Sequence, residues 1–200
     1  CYRLRSMADK DDIIARCAAG TLPELLVERM RRHRRDDIGA EFRAVLTALH
    51  NAGTIDVLEA ARTIGVSPIN QHDFFTVMHV YCDLIPDIEA EVPTMLAAVK
   101  ALVARAGNDG TSGIPNGAYR KWAEQGDRAR ATLAEIDPEE PEDAAYVFLG
   151  LQALAKNEPN AALDAAIAYL AGRAAPARSA GAKAIGTIEL ATPEARSRAA

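Results

Sequence analysis

The chain has 200 residues, of which 49% are hydrophobic and 26% charged, and its formal net charge is −5. This composition is that of an ordinary globular protein, and it argues against a disordered or fibrous chain. The acidic balance does not favour strong non-specific binding to nucleic acid or anionic membranes. No window approaches the roughly 18 apolar residues of a membrane span, so we expect no membrane partner.

The first residues look unlike a natural start. Residues 1–6 are interpreted as a leader or tag that precedes Met7, because Cys1 is an unusual first residue. The three cysteines are widely spaced and form no CxxC motif, which predicts reduced thiols in a cytoplasmic protein.

Residues 7–107 are predicted to form an N-terminal helical subdomain. Apolar residues recur there at spacings of three and four, and the alternating pattern of strands is almost absent. Thr21 is expected to cap the second helix and Thr54 the fourth, while Pro86 is expected to end the fifth. The predicted helices cover about residues 9–19, 22–35, 37–52, 55–64, 71–84 and 91–106.

A glycine-rich segment follows. Four glycines occur between Gly107 and Gly117, which is typical of a non-helical connection. We therefore predict a subdomain boundary at residues 108–117.

Helix pairs recur after this segment. The pattern predicts a pair at 119–125 and 128–136, a second at 143–156 and 161–171, and a third at 176–190 with a helix that opens at Thr192. Alignment of Ala129, Ala161 and Ala195 gives spacings of 32 and 34 residues. Such periods indicate a helical repeat, in which amphipathic pairs must stack to bury their apolar faces.

The segment from Ala177 to Ile188 resembles the first helix of a HEAT repeat, with an early arginine, alanines along one side and the pair Ile185-Gly186 near its end. Leu149-Gly150, followed by Ala162, resembles a tetratricopeptide frame less closely. The resemblance identifies residues 118–200 as HEAT-like helical repeats, and it implies a scaffold or binding surface. In this frame Gly150 and Gly186 should lie at close helix–helix contacts.

The predicted fold is therefore all-α: an N-terminal helical bundle followed by a short α-solenoid. Thr192-Pro193-Glu194 is a proper helix start, but barely two turns follow it. We expect the chain to be a piece of a larger protein, or to self-associate through the end of its C-terminal repeat.

The most conspicuous candidate site is basic. Five arginines within seven positions could contact the phosphates of nucleic acid: Arg29, Arg31, Arg32, Arg34 and Arg35. The alternative is a solvated helix end, where the helix dipole favours cations and nearby acidic residues neutralise part of the charge. The sequence favours the alternative, because no aromatic residue interleaves the arginines.

The stretch from Glu59 to Ser67 resembles the first helix and turn of a helix-turn-helix. Pro68 stands where the recognition helix should begin, and Gln71 stands where an aliphatic residue is needed. An ordinary αα-hairpin in a bundle is the favoured interpretation.

No catalytic, cofactor or metal residue is assigned from the sequence. His72 and His79 lie two helical turns apart, about 10 Å, which is too far for one metal ion, and we expect them to be aromatic-lined histidines in the core or at its boundary. The acidic run at residues 137–143 fits no EF-hand and is typical of a helix start. The glycine-rich segment lacks the strand and lysine of a phosphate-binding loop.

The sequence therefore favours a non-enzymatic protein–protein interaction or scaffold module. The partner would bind the inner face of the solenoid and the groove between the two helical halves. The alternative is a nucleic-acid-binding regulator that uses Arg29–Arg35. A DNA glycosylase, an activity known among HEAT-like proteins, is disfavoured because Trp122 is the single tryptophan.

Overall fold

The computed structural model describes residues 2–33, 38–107, 111 and 113–188, with side chains from residue 10 onward and without that of His33. This part of the chain contains α-helices and 3-10 turns and no strand, which confirms the all-α prediction. None of its helices combines the length and apolar character that crossing a membrane requires. The helices are α1 (Tyr2–Ala18), α2 (Leu22–His33), α3 (Ala40–Asn51), α4 (Val57–Arg62), α5 (Gln71–Leu84), α6 (Val92–Ala106), α7 (Gly113–Ala123), α8 (Arg128–Glu135), α9 (Ala144–Asn157), α10 (Pro159–Ala171) and α11 (Ala175–Ile185).

The chain divides into two compact units, Cys1–Tyr119 and Arg120–Ala200. The division falls within α7, just beyond the glycine-rich segment at which the sequence predicts a boundary. The predicted helix at Thr192 lies outside the described residues, so self-association through the C-terminal repeat end stays a prediction.

Helix α7 begins earlier than predicted, at Gly113 instead of Tyr119. Residues 113–117 are therefore helical, although their glycines suggested a connection. Pro115 lies in the first turn, where proline costs no hydrogen bond. Pro115, Ala118, Tyr119 and Trp122 are all buried and share one helical face, so burial of that face outweighs the low helix propensity of glycine.

The N-terminal unit is built around large apolar side chains. Helix α2 packs against α1 and α5, α3 packs against α5, and α4 packs against α6. The 3-10 turn at Ile64–Val66 also packs against α6. The largest fully buried side chains of this unit include Leu26, Leu46, Phe74, Met78 and Tyr81.

The predicted cap of α4 was wrong. Thr54 belongs to the end of α3, because its N–H donates to the Leu49 carbonyl at 2.9 Å. Gly53 permits this turn with a φ of 69°. The observed cap is Asp56, whose Oδ1 accepts the Glu59 N–H at 2.8 Å.

The bounds predicted for the fifth helix are confirmed. Helix α5 runs from Gln71 to Leu84 and is followed by a 3-10 turn that contains Pro86. Asn70 caps it, since its Oδ1 accepts the Asp73 N–H at 2.9 Å. A clear cap and a clear terminator make such a helix predictable.

The C-terminal unit packs its helices through small residues. Helix α9 packs against α8 and α10, and α11 packs against both α9 and α10. A Cβ placed on Gly150 would lie 2.9 Å from Cδ2 of Leu133 in α8. A Cβ on Gly181 would lie 2.7 Å from the carbonyl oxygen of Ala166 in α10. Glycine therefore lets α9 approach α8, and α11 approach α10.

The close contact predicted at Gly150 is confirmed, but the one predicted at Gly186 is wrong. A Cβ on Gly186 would meet only the Lys183 carbonyl oxygen, at 3.6 Å, an ordinary contact distance. Gly186 follows the last residue of α11, so it lies at the helix end, and the close approach occurs five residues earlier at Gly181.

Candidate functional site

A groove of about 560 Å³ lies on the C-terminal unit. Residues of α8 line one part of it, α10 lines it along three turns, and the start of α11 also contributes. Six of the fourteen lining residues are alanines: Ala134, Ala161, Ala165, Ala168, Ala174 and Ala177. The space exists because methyl groups stand where larger side chains would fill it.

The sequence of α10 determines which face lines the groove. Ala161, Ala165 and Ala168 recur at spacings of four and three and therefore lie on one side of the helix. Leu163 and Ala166 are fully buried on its other sides. Helix α10 thus uses one face for the core and leaves an alanine face partly open.

Charged groups stand at the edge of the groove. Arg130, Arg173 and Glu139 line it, so the lining carries two guanidinium groups and one carboxylate. Arg130 is bound by Glu158, with Nε 3.2 Å from Oε1. This hydrogen bond raises the pKa of Arg130, which stays charged.

Tyr169 fixes the wall between α10 and α8. Its hydroxyl donates to the Leu133 carbonyl at 3.1 Å. Burial raises the pKa of Tyr169, so the phenol remains a neutral donor at physiological pH. The groove therefore has a fixed wall, an apolar floor and charged groups of both signs at its edge, an arrangement suited to binding.

The arginines predicted from the sequence lie in the N-terminal unit, and the described ones contact other protein groups. Arg29 donates from Nε to the Ile38 carbonyl at 3.4 Å and places its guanidinium 3.8 Å from the centroid of the Phe42 ring. Helix α2 is described as far as His33, and its predicted extension to residue 35 lies outside the described residues.

The next two arginines form ion pairs. Arg31 contacts Asp73 at 2.6 Å, and Arg32 contacts Glu28 at 3.2 Å. A phosphate would have to compete with these carboxylates. Arg34 and Arg35 lie outside the described residues.

The segment that resembles a helix-turn-helix adopts another arrangement. Helices α4 and α5 are separated by eight residues, which include a 3-10 turn and an extended stretch. A helix-turn-helix uses a turn of about three to four residues. Helix α4 packs mainly on α6, so the favoured hairpin of α4 with α5 was also wrong.

The remaining candidates have local roles. His72 and His79 are exposed, so the expectation that they pack in the core was wrong. In the acidic run, Oδ1 of Asp137 accepts the Glu139 N–H at 2.9 Å, and Oδ2 of Asp143 accepts the Asp137 N–H at 3.3 Å. Among the described residues, no group of three or more His, Cys, Asp or Glu is arranged to hold a metal ion.

Sequence reasoning missed the alanine-lined groove. Its lining comes from helices distant in the chain, and alanine is an ordinary residue in any helix. The available signal was the face formed by Ala161, Ala165 and Ala168, together with Arg130 and Arg173.

No protein-family model, curated protein or solved structure matches this chain. The interpretation of the groove therefore depends on its own geometry and chemistry.

Proposed function

We propose that this protein is a non-enzymatic interaction module, and that its alanine-lined groove binds an acidic amphipathic helix of a partner protein. The observation that carries the proposal is the groove itself, in which a floor of small apolar side chains meets two arginines. In this proposal the C-terminal unit is a stack of helix pairs that presents the groove.

The spacing of the observed helices supports a repeat. Helices α8 and α10 begin 31 residues apart, at 128 and 159, and α9 and α11 also begin 31 residues apart, at 144 and 175. Helix α11 packs against both helices of the preceding pair, as stacked repeats require. This spacing is closer to the roughly 34 residues of a tetratricopeptide repeat than to the roughly 40–47 of a HEAT repeat. We therefore propose stacked helix pairs as the architecture.

The shape of the groove supports a helical partner. Recognition of a helix in a groove relies on apolar anchors spaced three and four residues apart along the bound helix. Ala161, Ala165 and Ala168 offer a parallel row of small contacts on α10. Small side chains let two helices approach closely, and about 560 Å³ accommodates several anchor side chains.

The charges at the edge support an acidic partner. The whole chain carries a net charge of −5, whereas the groove lining carries two arginines and one glutamate. Guanidinium groups form strong charge-assisted hydrogen bonds with carboxylates. A carboxylate of an acidic helix would therefore pair with Arg173, and it would compete with Glu158 for Arg130.

The proposal is tested by selecting binders from a displayed library of fragments of the proteome that contains this protein. Ala168→Trp fills the groove from an exposed position on α10, and Ala131→Trp makes the same change on an exposed face of α8 outside the groove. We expect acidic amphipathic helices that bind the native protein and the Ala131→Trp variant but not Ala168→Trp. Binders that lack acidic helices, or that bind Ala168→Trp equally well, would contradict the proposal.

A further inference from the structure

The two arginines of the alanine-lined groove lie at opposite ends of α10. Arg130 is bound to Glu158, which directly precedes α10, whereas Arg173 follows shortly after Ala171, the last residue of that helix. The lining on α10 begins at Ala161 in its first turn, and the helical rise places Ala161 about 15 Å from Ala171 along the axis. A segment bound along α10 therefore meets one arginine at each end.

Arg130 is already paired. Its Nε lies 3.2 Å from Oε1 of Glu158, and its Nη2 donates to Oε2 of the same carboxylate. Pairing of a guanidinium with a carboxylate through two parallel hydrogen bonds is a strong charge-assisted arrangement. A carboxylate of a partner would have to displace Glu158, so the Arg130 end of the groove attracts acidic groups only weakly.

Arg173 has no such carboxylate beside it. The residue is exposed, and within the described part of the chain its guanidinium forms no hydrogen bond or ion pair. Glu139 also lines the groove, but it does not pair with Arg173. The Arg173 guanidinium is therefore available to a carboxylate of a partner.

The backbone that carries Arg173 is held in place. Nη1 of Arg178, on α11, donates to the Gly172 carbonyl at 3.4 Å and also to the Arg173 carbonyl. These hydrogen bonds tie the end of α10 to the start of α11. Because this backbone is anchored before a partner arrives, less ordering is needed when Arg173 binds.

The difference between its two arginines gives the groove a charge polarity. The methyl groups of Ala165 and Ala168 contact apolar anchors in the same way whichever direction the bound helix runs. Charged groups fix the register and orientation of a partner more than they add affinity. A helix with acidic residues at one end therefore gains an ion pair only when that end lies at Arg173.

We infer that Arg173 is the specificity-determining residue of the groove, and that it orients the bound helix by pairing with carboxylates at one end of that helix. This inference rests on the proposed function and extends it from the class of the partner to the position of the partner's charges. The charge of the partner, and not the direction of its chain, sets the orientation.

Two synthetic peptides of identical composition test this inference on the full chain. Both place leucines three and four residues apart, but one carries its glutamates in the first helical turn and the other in the last. A nitroxide at the glutamate end broadens the amide NMR signals of the protein residues that lie near it. With both peptides we expect stronger broadening at Ala177, which lines the groove in the first turn of α11, than at Ala161. The two peptides would then bind in opposite chain directions.

Variants of the arginines, measured by isothermal titration calorimetry, assign the effect to one residue. Arg173→Gln should weaken both peptides by roughly three- to fivefold, as expected for an exposed ion pair, and should abolish the preference of the glutamate end for Ala177. Arg130→Gln should weaken them less, because Glu158 already pairs with that arginine. Arg62→Gln makes the same change at an exposed ion pair of the N-terminal unit and should leave affinity unchanged.

Stronger broadening at Ala161 with either peptide would overturn the inference, and so would equal affinity of the native protein and Arg173→Gln. Failure of both peptides to bind the folded native protein would also overturn it. The proposed function is decided separately, by the selection from the displayed library and the Ala168→Trp variant.

Discussion

The two units reach the same all-α fold by different packing. The N-terminal unit fills its core with Phe74, Met78 and Tyr81, whose side chains keep the helix backbones apart. The C-terminal unit brings backbones together at Gly150 and Gly181, and several of its fully buried positions are alanines. The C-terminal unit also buries large side chains such as Trp122, so the two units differ in how closely their helices approach at glycine.

This difference predicts opposite sensitivities to mutation. A core of large side chains loses contacts and gains a cavity when a side chain is shortened. A core of close backbones is overpacked when a side chain is lengthened. A different set of small residues, Ala161, Ala165 and Ala168, leaves one face of α10 open and lines the proposed binding groove.

The largest expected effect is in the N-terminal unit. Phe74 is fully buried and lies 5.0 Å from the guanidinium of Arg105. Phe74→Ala should lower the free energy of unfolding by about 3–5 kcal/mol, measured by urea denaturation and far-UV circular dichroism. Phe75→Ala, at the neighbouring and less buried ring, is the matched control. It should lower the free energy of unfolding by less than Phe74→Ala does. Equal losses would show that this core does not depend on the volume of Phe74.

An intermediate effect is expected at Gly150. Gly150→Leu should lower the free energy of unfolding by about 1–3 kcal/mol, because the new side chain has no space beside Leu133. Gly150→Ala should be nearly neutral, since the end of the Leu133 side chain can move and alanine gains about 1 kcal/mol of helix propensity. Fluorescence of Trp122, which lies in the C-terminal unit, follows the transition. A neutral Gly150→Leu variant would contradict the close approach of α8 and α9.

The smallest effect is expected at the basic end of α2. The ion pair of Arg31 with Asp73 is at the surface, and the arginine side chain is 68% exposed. Arg31→Ala should change the free energy of unfolding by less than about 1 kcal/mol, measured by thermal denaturation. Asp73→Ala removes the carboxylate of the same ion pair and serves as the matched variant. A loss well above that value in both variants would show that the basic run is part of the core architecture.

The same arginine also bears on nucleic-acid binding. If Arg29–Arg35 bound nucleic acid, the native protein would bind duplex DNA with a steep salt dependence that the Arg31→Ala variant reduces. Absence of binding at low salt would remove that alternative.

Helix positions were predictable where local chemistry decides them. Helix α5 has a capping residue, a continuous apolar pattern and a proline after its end, and its bounds were predicted correctly. Thr54 was assigned to the wrong helix because a threonine before an apolar residue can end one helix or begin the next. The hydrogen bond to Leu49 that decides between these roles depends on the turn at Gly53, which the pattern of side chains does not reveal.

The candidate sites depended on tertiary contacts and were less predictable. The five arginines were conspicuous in sequence, but the partners Asp73 and Phe42 are distant in the chain. The alanine-lined groove is formed by residues that individually carry no signal. The close helix–helix contact was predicted at Gly186 instead of Gly181, because each glycine follows a small or apolar residue in the sequence. The two positions differ only in their distance from α10, which depends on how α10 and α11 pack.

The close packing of the C-terminal unit is tested most directly by comparing Gly181→Ala with Gly186→Ala. A Cβ at position 181 would lie 2.7 Å from a backbone oxygen of Ala166, which cannot move without separating α10 from α11. Urea denaturation followed by Trp122 fluorescence should show a loss of about 2–3 kcal/mol for Gly181→Ala and a change within about 0.5 kcal/mol for Gly186→Ala. Equal transition midpoints for the two variants and the native protein would contradict the packing on which the proposed groove depends.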